Sequence, residues 1–126
     1  MRSPSLGLAL ILGLLCSIPF AHAQQATERY IPLGKSPGLS GKYTYIGPIS
    51  AADCENRTLT VFGPAGSRTV RITERTRIWL DRTKLRLPNL EGHFEDFHRG
   101  RMVEVEYEDH ERKKSAAWVK VEIRDR

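Results

Sequence analysis

Cysteine is nearly absent: the chain of 126 residues has two, Cys16 and Cys54. Cys16 lies in an N-terminal apolar run that reads as a leader, so the mature domain keeps Cys54 alone and has no internal disulfide. Its stability must come from its core. Beyond that leader there is no long hydrophobic stretch, and Leu6 to Ile18 is itself too short to span a bilayer comfortably. Internal repeats, coiled-coil heptads and low-complexity tracts are also missing. No serine sits in a nucleophile elbow, no histidine neighbours Cys54, and Glu95 with Asp96 has nothing that marks a general acid pair. No cofactor motif is present, and an enzyme is not expected.

What is there begins with export. Arg2, the apolar run and the small-x-small step Ala21-His22-Ala23 form a secretory signal peptide over 1–23, cut after Ala23. Leu15 is not small, so lipid attachment at Cys16 is not expected. The product is periplasmic or secreted, and nucleic acid is not an expected ligand. The whole chain carries a net charge of +5, which suits dwelling near anionic headgroups or envelope polymers. A monomer is expected. Cys54 could link two chains, although Asp53 and Glu55 beside it blunt its nucleophilicity.

The stretch Thr58 to Leu80 organises the rest. Leu59 and Val61 alternate with threonines, Val70 and Ile72 alternate with Thr69, Arg71 and Thr73, and Ile78 and Leu80 flank Trp79. Period-two alternation predicts strands with one dry and one wet face. Pro64-Ala65-Gly66-Ser67 predicts a hairpin loop, and Glu74-Arg75 a short turn or bent corner. Upstream, 24–41 reads as an extended arm tied down weakly by Tyr30, Ile31 and Leu33. Gly41 to Ser50 is a first strand bent at Gly47-Pro48. Downstream, Arg82 to Gly100 is a long connection with one helical turn, Gly92 to His98, that drops Phe94 and Phe97 onto an open barrel end.

Two last strands form the clearest hairpin. Setting Val103 opposite Val121, Val105 opposite Val119 and Tyr107 opposite Ala117 puts all of them on the dry side. Glu104 then falls beside Lys120 on the wet side. The expected fold is all-β: a small antiparallel OB-like barrel over 42–126, with about six strands closed to remove exposed edges. A two-sheet sandwich is the alternative.

The run Gly47-Pro48-Ile49-Ser50, Thr58-Leu59-Thr60-Val61, Val70-Arg71-Ile72-Thr73, Thr76-Arg77-Ile78, Gly100-Arg101-Met102-Val103-Glu104-Val105 and Ala116-Ala117-Trp118-Val119-Lys120-Val121 resembles a family of small exported bacterial β-barrel domains of unknown function. The likeness covers about Lys42 to Ile123. It departs where the family keeps an Ile-Asp step, because Ile49 is followed by Ser50 and an acid arrives only at Asp53. The resemblance implies an OB-like barrel and no known catalytic residues.

Two surfaces stand out as candidate sites. Tyr45, Arg71, Arg77 and Trp79 could share an outer face, a basic and aromatic platform for an anionic lipid, a glycan or an envelope protein. The basic run Arg68 to Arg86 faces an acidic counterpart, Glu91 to Glu111, that could instead neutralise it across the sheet. His93, Glu95 and His98 offer the only compact set of possible copper or zinc ligands. The histidines are five apart where a helical site wants four, and Phe94 and Phe97 between them read as the buried residues. No cofactor is expected. The expected function is a non-catalytic exported binding or structural module of the bacterial cell envelope. A periplasmic copper or zinc binder is the alternative.

Overall fold

The computed structural model describes residues 27–125. The expected leader over 1–23 lies outside the described residues. Seven strands follow the arm: β1 (Thr44–Asp53), β2 (Thr58–Gly63), β3 (Gly66–Arg71), β4 (Arg77–Asp81), β5 (Leu90–Glu91), β6 (Met102–Tyr107) and β7 (Ala116–Glu122). They form one sheet in the order β3-β2-β1-β6-β7-β4-β5. From Thr44 to Glu122 the helical structure is limited to two 3-10 turns, Thr83–Leu85 and Phe94–Asp96, the second within the expected stretch.

The chain is all-β, as expected, but the sheet is mixed and does not close along its length. β4 runs parallel to β7, pairing Ile78 with Val119 and Leu80 with Val121. Glu74-Arg75 is therefore a corner and not a hairpin turn. It is built by two threonines: Thr73 receives Thr76 through N–H to carbonyl at 3.1 Å, and the Thr76 hydroxyl accepts the Thr73 N–H and donates to Ala116. These bonds use up the polar backbone groups of the break and send β4 past β7 in the same direction. β3 and β5 are the two ends of the sheet. The far end of β3 meets the residues just before β7, through an isolated parallel bridge from Arg71 to Ser115 and the Arg71 N–H donated to the Lys114 carbonyl at 2.8 Å.

β1 holds the two halves together. Its first part pairs with β6 and its second with β2, with a register shift between Ile49 and Ala51. The expected bend at Gly47-Pro48 is realised as this bulge, one to three residues later. Glycine is needed at 47 because β2 crosses so closely that a Cβ would collide with the Phe62 carbonyl.

The core is the dry face read from the alternation. Leu59, Val61, Val103, Val105, Val119 and Val121 are all at most 1% exposed. Phe94 and Phe97 join this core, packed edge to face at 5.2 Å. The β6–β7 register pairs Val103 with Val121, Glu104 with Lys120 and Val105 with Val119 as expected; a shift after Glu106 then sets Tyr107 opposite Ala116, not Ala117.

The supposed wet face of β6 and β7 is dry. Glu104 is 0% exposed and Lys120 1%, and they do not bond each other. The arm lies across them. The Lys120 ammonium donates to Glu28 at 2.8 Å and to the Ser36 hydroxyl at 3.2 Å. The Glu104 carboxylate accepts the Gly34 N–H and the hydroxyls of Ser40 and Thr44. Leu33 donates its N–H to Asp81, and Asn89 donates to the Arg29 carbonyl. Tyr30, expected to be an apolar tie, is exposed. The arm is held by polar groups because the sheet beneath it presents charges that need partners.

An ammonium left buried without its carboxylate is costly, so Glu28→Ala should lower unfolding stability by about 3 kcal/mol. Arg77→Ala, which breaks an exposed pair, should cost less than about 1 kcal/mol. Urea unfolding of both variants checks this; equal small losses would show that the arm does not seal Lys120.

Candidate functional site

The four residues expected on one platform do not share an exposed face. Trp79 is 4% exposed and packs at 5.9 Å against Trp118 beneath the arm-covered half of the sheet. Tyr45 belongs to the core; its hydroxyl donates to the Gly66 carbonyl and accepts the Ala65 N–H, tying the β2–β3 loop to β1. The Arg68 guanidinium lies over its ring at 4.2 Å. Arg77 is exposed and pairs with Glu91 at 3.4 Å. Arg71 is exposed and has no ion-pair partner among the described residues.

Part of the basic run is neutralised as the charge balance suggested. Arg75 pairs with Glu108 at 3.0 Å and Lys84 with Glu122 at 3.2 Å. The Arg75 bond holds the Glu108 carboxyl below its ordinary value. Arg71 escapes this pairing because its strand neighbours are Thr58 and Ser115, not an acidic strand.

A different surface emerges on the outer side of β2 and β3. Leu59, Val61 and Val70 point inward, which leaves Thr58, Thr60, Phe62, Ser67, Thr69 and Arg71 pointing outward. Thr60 and Thr69 face each other with hydroxyls 2.9 Å apart, and Thr58 lies opposite Arg71. Phe62 is 57% exposed. The arm's polar contacts fall on β1, β4, β6, β7 and Asn89, and none falls on β2 or β3 among the described residues. The result is a flat strip of hydroxyls with one aromatic ring and one unpaired guanidinium. Its signal in the sequence was Phe62 itself, an aromatic residue in phase with threonines.

His93, Glu95 and His98 are all exposed. Asp96 accepts the His93 N–H at 2.7 Å, which shapes the 3-10 turn that buries Phe94. Among the described residues no three His, Cys, Asp or Glu side chains gather as a metal would need. Cys54 is a free thiol, exposed at the polar turn between β1 and β2. No helix among the described residues is long and apolar enough to cross a membrane.

Where the arm ends, Tyr43 stacks on His110 at 5.2 Å and His110 approaches the Glu106 carboxylate at 3.3 Å. Burial raises the Glu106 carboxyl above its ordinary 4.5, while the His110 bond opposes that rise. A raised value means that the protonated acid favours the fold. Glu106 therefore contributes stability that is present below pH 4.5 and lost as pH rises through the folded value. Glu106→Gln, uncharged throughout, should gain on the native chain between about pH 4 and about pH 7. Urea unfolding at the two pH values measures the difference; a variant that loses ground on that rise contradicts the assignment.

No protein-family model matches this chain, and no curated protein and no solved structure gives a significant match.

Proposed function

We propose that the chain is a non-catalytic exported binding module of the bacterial cell envelope, an OB-like barrel that contacts an anionic glycan through the outer face of its β2–β3 hairpin. The pairing supports the OB-like reading. β1 serves both β2 and β6, β6 and β7 form a second hairpin, and β3 and β4, taken as one bent strand, follow β7 in parallel. This order suits a five-stranded, partly open Greek-key barrel. The leader pattern of residues 1–23 supports export to the periplasm or beyond.

One observation carries the ligand class: the arm covers one half of the outer surface and leaves the other half bare, with Phe62 exposed and Arg71 unpaired. A sugar ring can stack on Phe62 and hydrogen-bond to Thr60 and Thr69. A carboxylate or sulfate on the same chain meets the Arg71 guanidinium bidentately. Without Arg2 of the leader the chain has 19 basic and 15 acidic residues, and this net charge of +4 favours such a partner from a distance and makes the contact sensitive to salt.

The test is retention on immobilised polyuronate against a neutral glucan. The native chain should be retained on the polyuronate alone and released by salt. Phe62→Ala and Arg71→Glu should each weaken binding about tenfold, roughly one lost contact of 1.4 kcal/mol. Retention unchanged in the double variant contradicts the assignment.

A further inference from the structure

A second feature is built by residues outside the β2–β3 face. Beyond the ends of β6 and β7 opens a cleft of about 820 Å3, walled by the turn His98–Met102 on one side and by Glu122, Arg124 and Asp125 on the other. This is the size of pocket that takes a small organic ligand.

Its walls are fixed by bonds that leave cationic groups free. Gly100 has φ of 92°, which closes the turn. The turn is pinned to the β1 bulge by the Gly100 N–H to the Ile49 carbonyl and the Ile49 N–H to the Arg101 carbonyl, both at 2.8 Å. Arg101 donates one Nη to the Asp96 carbonyl at 2.9 Å, which braces the same turn. Arg124 gives its Nε to Glu122 at 2.6 Å, and its Nη groups have no partner among the described residues. Arg99 is exposed and likewise unpartnered among them.

The acids on the walls do not cancel this. Glu122 is nearly buried and already shared between Arg124 and Lys84, so its charge is compensated from two sides. Asp125 has no such partner among the described residues and can accept hydrogen bonds from hydroxyls. Among the described residues of the lining there is no Phe, Tyr or Trp and only the small His98 imidazole, so a neutral sugar finds no broad stacking platform and charge must supply most of the affinity. We infer that this cleft binds a small acidic sugar, its carboxylate or phosphate oxyanion held between the guanidinium groups of Arg99 and Arg124 and its hydroxyls offered to Asp125. Planar guanidinium groups suit such oxyanions because they donate in a fixed fork. None of these residues belongs to the β2–β3 face, so the two sites stand or fall separately.

Titration of the isotope-labelled mature chain with glucuronate, glucose 6-phosphate and glucose, followed by amide chemical shifts, tests this. Either or both acids should move the amides of Arg99 to Met102 and of Arg124, and glucose should not; a response to one acid alone identifies the oxyanion. Arg99→Ser with Arg124→Ser should weaken the acid at least about tenfold, as expected for lost charge-assisted bonds. Unmoved amides of Val103 to Tyr107 and of Ala116 to Val121 show that this variant is folded. Glucose binding as well as the acids, no shifts at the cleft with either acid, or affinity unchanged in the arginine double variant would overturn the site.

Discussion

Two buried charges, neither paired with the other, govern this fold. Glu104 and Lys120 lie opposite one another on β6 and β7, yet Lys120 finds its partners in the arm, Glu28 at a separation of 92 residues, and Glu104 finds its own in the arm and in Thr44 at the start of β1. Removing such groups from water is costly unless every donor and acceptor is met. The sheet therefore cannot present this face without the arm, and the arm has little apolar surface of its own to hold it elsewhere. β7 is consequently dry on both sides: Val119 and Val121 face the core, and Trp118 and Lys120 face the arm.

This division sets what the molecule can offer to others. The half of the sheet that carries both tryptophans is occupied by the chain itself. The bare hairpin face and the cleft at the end of β7 are two places where unpaired guanidinium groups meet solvent. On the bare hairpin face the aromatic residue available for contact is Phe62, held outward by the same alternation that turns Leu59 and Val61 inward. The bonds that fix the corner at Thr73 and Thr76 keep β3 beside β2 and free β4 to pair with β7.

Much of the core was legible in the sequence. The valines of β6 and β7 set their own register because a slip by one residue would have turned all of them to water, and the β2–β3 hairpin followed from Gly66 between two alternating runs. The parallel course of β4 was not legible, since local alternation is the same for parallel and antiparallel neighbours. Nor was the coverage of the polar face: alternation distinguishes two sides of a strand but says nothing about what lies on the second. Trp118 in phase with Lys120 and Glu122 was the available hint, because a tryptophan seldom faces water without reason. Missing it placed Trp79 on an open platform, whereas it is buried beside Trp118. Of the four platform residues Arg71 and Arg77 are exposed, Arg77 paired with Glu91 and Arg71 without an ion-pair partner among the described residues.

The central claim is that the arm seals the outer face of β4 and β7, and the chain's two tryptophans, 4% and 1% exposed, report on that face. Quenching of their fluorescence by acrylamide in the intact protein measures the seal directly. The account predicts blue-shifted emission and quenching far below that of a free indole side chain. Red-shifted emission with quenching close to that of the unfolded chain would show an open face and contradict it.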